Sequence, residues 1–119
     1  MHQFYFEKLD VWQNARILVK DIYVTTSKFP KEEMFGVTSQ IRRASMSISA
    51  NIAEGMSRST NKDKARFLNL AYSSAMEVIN FLILSLDLGY LNEIDYIKLR
   101  EPLEKITNQL QALSRKIIS

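Results

Sequence analysis

The chain has 119 residues, 46% of them hydrophobic and 24% charged, with 16 Lys and Arg against 13 Asp and Glu for a net charge of +3. That length supports one core and requires no second domain, and a composition with only two prolines and three glycines excludes a loop-rich or disordered chain. The absence of cysteine excludes disulfides and thiolate metal sites, while the small positive charge permits contact with nucleic acid without demanding it.

The N-terminal stretch MHQFYFEKLDVW carries Glu7 and Asp10 where a secretion signal would need an apolar run, which predicts a cytoplasmic protein. A first helix is expected from about Leu9 to Ser27. Val11, Ala15, Leu18 and Ile22 form its apolar face, with Trp12, Val19 and Tyr23 beside them, and the KFP sequence closes it.

A second helix is expected to start between Pro30, a natural first-turn residue followed by Glu32 and Glu33, and Thr38. It is expected to end at Gly55 in a left-handed C-cap. Val37, Ile41, Ala44, Ile48 and Ile52 make its core stripe, and on another face Gln40, Arg43, Ser47, Asn51 and Glu54 make a polar one.

The third helix is expected from about Asn61 to Leu88, with Gly89 past its end. One side carries Phe67 or Leu68, then Ala71, Ala75, Val78, Leu82 and Leu86; a second apolar set, Leu70, Phe81, Leu84 and Leu88, lies off that side. An apolar circumference wider than one core needs predicts a second packing partner. The most apolar window, VINFLILSLDLGYL, is broken by Asn80, Ser85 and Asp87 and falls short of the ~20 apolar residues that span a bilayer, so it is read as core and no membrane contact is expected.

Asn92 followed by Asp95 is an N-cap signature for a fourth helix, along which Leu99, Leu103, Ile106, Leu110, Leu113 and Ile117 keep a heptad seam. Pro102 predicts a kink in it, with a full break as the alternative. Four helices on short connections describe an all-α, antiparallel, up-down-up-down four-helix bundle.

Two features bear on function. The polar stripe of the second helix steps by 3, 4, 4 and 3, and on the third helix Arg66, Asn69, Ser73, Glu77 and Asn80 step the same way. Antiparallel packing would then pair Glu54 with Arg66, Asn51 with Asn69, and Arg43 with Glu77 in a buried layer that fixes register. An active site or a ligand or subunit contact are the other readings. The second feature is the loop and helix start GMSRSTNKDKAR, which places Arg58, Lys62, Lys64 and Arg66 within nine residues against Asp63 alone. This segment can grip phosphates, or it is a solvated turn.

Catalysis and cofactors find no support. The single histidine, His2, rules out the Glu-x-x-His pairs of bundle di-metal sites, and neither a glycine-rich phosphate loop nor a Gly-x-Ser-x-Gly elbow occurs. A non-enzyme without metal or cofactor is expected.

The segments FEKLDVWQNA (6–15), FPKEEMFGVTSQIRRASMSISANIAEG (29–55), FLNLAYSSAMEV (67–78) and LGYL (88–91) resemble, in that order, the bacterial four-helix bundle family called the 23S ribosomal RNA intervening-sequence proteins. The resemblance covers nearly the whole chain, and no catalytic residues are established for the family to carry over. A related branch, the accessory protein of diversity-generating retroelements, forms a five-fold ring and binds nucleic acid and a protein partner. The resemblance therefore implies a homo-oligomer, a pentamer in that branch, contacting RNA or DNA and a further protein. A purely structural or protein-interaction bundle is the other class left open.

Overall fold

A computed structural model describes residues Met1–Ser119 and contains no strand. A short 3-10 turn, Tyr5–Lys8, leads into α1 (Asp10–Thr26); a second, Lys31–Glu33, precedes α2 (Val37–Met56); α3 (Asn61–Asp87) and α4 (Glu93–Ile118) complete the chain. Each helix packs on its neighbours in sequence, and α1 also closes on α4, while the diagonal pairs α1/α3 and α2/α4 do not approach. The hydrogen bond between Thr26 and Arg42 joins the end of α1 to the early part of α2, and that between Asn14 and Gln109 joins the start of α1 to the late part of α4, as antiparallel packing requires. This is the up-down-up-down bundle that the apolar periodicity predicts.

The core is built from the predicted stripes. Ala15, Ile22, Ile41, Ile48, Ile52, Ala71, Ala75, Val78, Leu82, Leu103 and Ile106 have no accessible surface, and Phe67 and Leu68 are both buried. Leu113 and Ile117, late in the α4 seam, are only partly covered. Burying side chains of this size stabilises by roughly 1.5–3 kcal/mol each, which is what holds four helices together against their chain entropy.

Caps explain the boundaries. The Thr60 hydroxyl accepts from the Asp63 amide at the start of α3, and the Asn92 side chain accepts from the Asp95 amide at the start of α4. Gly89, with φ of 78°, ends α3 in a Schellman turn: the Tyr90 amide donates to the Ser85 carbonyl and the Gly89 amide to that of Leu86.

The Pro30–Glu33 segment forms a 3-10 turn, and α2 begins at Val37, inside the range expected for its start. One expectation about the helix ends is corrected. Gly55 is not a left-handed cap but a buried residue of the last turn of α2, and its missing side chain serves a helix–helix contact described below. α4 is continuous through Pro102, so the alternative to a kink, a full break, does not occur; Leu99, Leu103 and Ile106 are buried on both sides of the proline and keep the helix in phase.

By length and composition α3 could cross a membrane, its most apolar window reaching a mean hydropathy of 1.4. In the bundle it is a core helix, with Leu68, Ala71, Ala75, Val78 and Leu82 buried and Asn69, Ser73 and Glu77 exposed on the opposite side.

Candidate nucleic-acid interface

The basic segment lies at the end of the bundle where α2 turns into α3. Ser57–Thr60 connect the two helices, and the Thr60 cap fixes the first turn of α3 so that Arg58, Asp63 and Arg66 converge. Asp63 sits 3.0 Å from Arg66 and 3.8 Å from Arg58. Phe67 supports both guanidiniums through its ring, 4.5 Å from Arg58 and 4.6 Å from Arg66. These ion pairs are exposed and contribute at most ~1 kcal/mol, so the two arginines are positioned rather than locked. Lys62 is exposed and Lys64 half-buried, and neither has an ion-pair partner.

Sequence reading missed two cations. Because α4 is antiparallel to α3, its last turn comes to the same end and adds the exposed Arg115 and Lys116. Their spacing from the loop, some fifty residues along the chain, hides the proximity; the bundle topology was the signal that could have found them. Apart from Asp63 in the first turn of α3, the acidic residues at this end, Glu7, Asp10 and Glu54, belong to the α1 and α2 side, so the α3–α4 side is the more basic one. At the opposite end the turns carry Glu32, Glu33, Asp87, Glu93 and Asp95.

A groove runs between the start of α3 and the end of α4. An outer cavity of about 610 Å³ is lined by Lys62, Arg66 and Asn69, with Ser114 from α4. An inner one of about 230 Å³ shares Asn69 and Ser114 and adds Tyr72, Gln111 and Arg115 over the buried Leu68 and Leu110.

The polar stripes do not form the buried layer expected of them. Gln40, Arg43, Glu54, Arg66, Asn69, Ser73, Glu77 and Asn80 are exposed, and neither Glu54–Arg66 nor Arg43–Glu77 is an ion pair. Equal spacing puts each set on one face of its helix, yet the α3 set lies about half a turn away from Ala71, Ala75 and Val78 and so does not face α2. Of the two stripes, Ser47 alone makes a hydrogen bond across the α2–α3 seam. There the Ser47 and Ser74 hydroxyls are 2.8 Å apart, and the Asn51 amide donates to the Ser47 carbonyl and hydroxyl at 2.9 and 3.0 Å. Arg43, Asn51 and Glu54 instead line a second groove of about 600 Å³ against Trp12 and Arg16 of α1.

No group of three or more His, Cys, Asp or Glu side chains is placed to hold a metal ion. Arg100 is held above the usual guanidinium range by hydrogen bonds to Glu104 and Tyr96, against a small desolvation cost; it lies on α4 away from the basic end.

Residues 7–112 match the family described as 23S rRNA-intervening sequence protein. The chain belongs to that family. Among solved structures it is similar to a protein of unknown function from the S23 ribosomal protein family of Bacteroides thetaiotaomicron VPI-5482, at 23% identity and a TM-score of 0.79, over 87% of this chain and 97% of that one. At that identity the likeness speaks for the fold, and it covers the bundle rather than any part of it. No curated protein matches.

Proposed function

We propose that this family member is a non-catalytic, cytoplasmic binding module that works as a homo-oligomer and grips the phosphate backbone of RNA or DNA with its basic end. The observation that carries the reading is the gathering of Arg58, Lys62, Lys64 and Arg66 with Arg115 and Lys116 at one end of α3 and α4. Cations clustered on one face are the electrostatic footprint of polyanion binding, and backbone contact needs no catalytic group.

Self-association is supported by apolar surface that one bundle leaves uncovered. On α3, Leu70 is 44% exposed and Leu84 43%, Leu88 just past its end is 61% exposed, and Phe35 in the connection before α2 is 95% exposed. Phe81 and Trp12 are half covered. Apolar side chains along one helix face are an interface in search of a second copy. Copies arranged around an axis would also sum their basic ends into one strong positive field, which raises polyanion affinity without any new contact. Five copies is the number the retroelement accessory protein suggests, and a further protein partner belongs to the same proposal.

The test is binding of labelled RNA and DNA across a salt series, with light scattering to give the mass. The parent is expected to show a steep inverse dependence on salt, and replacing Arg58, Lys62 and Lys64 by Gln is expected to reduce the log–log slope by roughly 2–3. Unchanged binding in the triple variant would remove the loop from the interface, and a mass of 13.8 kDa at micromolar concentration would remove the oligomer.

A further inference from the structure

We infer that the groove between the start of α3 and the end of α4 is a nucleotide subsite: it takes one base of a single-stranded RNA or DNA against Tyr72 and Gln111 while Lys62, Arg66 and Arg115 hold the adjacent phosphates. The inference rests on the backbone-binding reading above and adds to it a place for a base.

The two cavities form one groove because both are lined by Asn69 and Ser114. Its chemistry changes along its length. The inner part has an apolar floor, Leu68 and Leu110 at 1% exposure each, walled by the half-buried Tyr72 and the exposed Gln111. The outer part carries Lys62 and Arg66, and Arg115 lines the inner part.

A nucleotide has the same division, with a flat base that needs an apolar or aromatic surface and hydrogen bonds at its edge, joined to an anionic phosphate. An aromatic ring suits any base because every base has a π face. The amides of Gln111 and Asn69 each donate and accept, so they can meet either kind of base edge. Asp63, the carboxylate in the lining, is paired with Arg58 and Arg66, so Lys62 and Arg115 are the lining cations that carry no carboxylate partner. The inner cavity, about 230 Å³, is smaller than a site for a whole drug-sized ligand and suits a single base, which must be unstacked to enter it, as a duplex does not allow.

Anisotropy titrations at one salt concentration test this directly, using short labelled oligo-uridine and oligo-thymidine strands and an abasic strand with the same number of phosphates. The parent is expected to bind the base-bearing strands about tenfold more tightly than the abasic one. Gln111→Leu, an exposed position that circular dichroism should find folded, is expected to lose most of that preference with the salt slope intact. Arg115→Gln is expected to weaken all three strands alike and lower the slope by about one. Equal affinity of the parent for base-bearing and abasic strands, with a steep salt slope, overturns the subsite and leaves backbone binding standing. A Gln111→Leu variant that keeps the full preference also overturns it, by placing the base elsewhere. No binding of any strand overturns both readings.

Discussion

Gly55 of α2 packs directly against Phe67 of α3: a Cβ built on residue 55 would lie 2.7 Å from the Phe67 Cβ, with the Lys64 carbonyl oxygen at 3.4 Å. The obstacle is a Cβ on a rigid helix rather than the end of a flexible chain, so it cannot swing aside. The same Phe67 carries Arg58 and Arg66 on its ring, and the contact that seats Phe67 therefore also seats the basic cluster. Overpacking of this kind costs about 1–3 kcal/mol, and the better helix propensity of Ala returns at most ~1 kcal/mol. Gly55→Ala is thus expected to lower stability by about 1 kcal/mol in urea denaturation. Gly36→Ala, where the nearest obstacle is the end of the Glu33 side chain rather than a Cβ on a packed helix, serves as the comparison. Equal effects at the two glycines would remove the close contact from the explanation.

Ser47 and Ser74 make the polar contact that does cross the α2–α3 seam. Each hydroxyl is left without this partner when the other is removed, so Ser47→Ala and Ser74→Ala are each expected to cost about 1 kcal/mol. The double variant is expected to cost no more than either single one, giving a coupling near 1 kcal/mol in a double-mutant cycle. Additive losses would mean the hydroxyls act independently.

The contrast between this pair and the longer polar stripes shows what the sequence could and could not convey. Helix number and order were legible because Ile41, Ile48 and Ile52, or Leu99, Leu103 and Ile106, repeat at helical spacing between glycine and asparagine punctuation. The fate of Arg43, Glu54 and Glu77 was not legible from spacing, since spacing fixes a face and not the direction in which that face points. Direction comes from phase against the core. Glu77 lies well away from the Ala75 and Val78 direction, whereas Ser74 lies just beside it, and only the latter meets a neighbouring helix. Arg115 and Gln111 were missed for a different reason: their role depends on which helix ends share one end of the bundle, a tertiary fact with no local mark.

Thr38 and Ser85 have buried hydroxyls without a hydrogen-bond partner, at 1% and 0% exposure. An unsatisfied buried hydroxyl is a standing cost of roughly 1–3 kcal/mol, and removing it releases part of that cost if the shape is kept. Thr38→Val and Ser85→Ala are each expected to raise stability by about 1 kcal/mol. A loss of that size from either would show that the hydroxyl is satisfied in solution.

Tyr90 joins the end of α3 to the turn before α2. Its hydroxyl donates to the Glu33 carboxylate at 3.2 Å, and its ring packs on Phe29 with centroids 5.9 Å apart. Desolvation raises the Tyr90 phenol, and the charge of Glu33, its hydrogen bond and the nearby Glu32 push it further in the same direction. The folded state thus favours the protonated phenol. Its contribution to stability is complete below the ordinary tyrosine value of 10.0 and is lost as the pH rises through the raised one. Thermal denaturation from neutral to strongly alkaline pH is expected to show a loss above that point that Tyr90→Phe reduces. A variant that follows the parent throughout would exclude this phenol as the source.

Asp63 works against the binding surface that it helps to shape. Its carboxylate is the acidic group facing Arg58 and Arg66, and it stands in the first turn of α3, where a negative charge favours the helix. Asp63→Asn keeps the backbone amide that the Thr60 cap uses, while removing the charge that competes with phosphate. Two opposite effects follow. Stability is expected to fall by about 0.5 kcal/mol, from the helix terminus and two exposed ion pairs. Affinity for RNA or DNA at low salt is expected to rise several-fold, with a steeper salt slope, because two guanidiniums become free to neutralise phosphates. Denaturation and salt-dependent binding measured on one preparation separate the two. A fall in both would mean that Asp63 positions Arg58 and Arg66 for phosphate rather than occupying them.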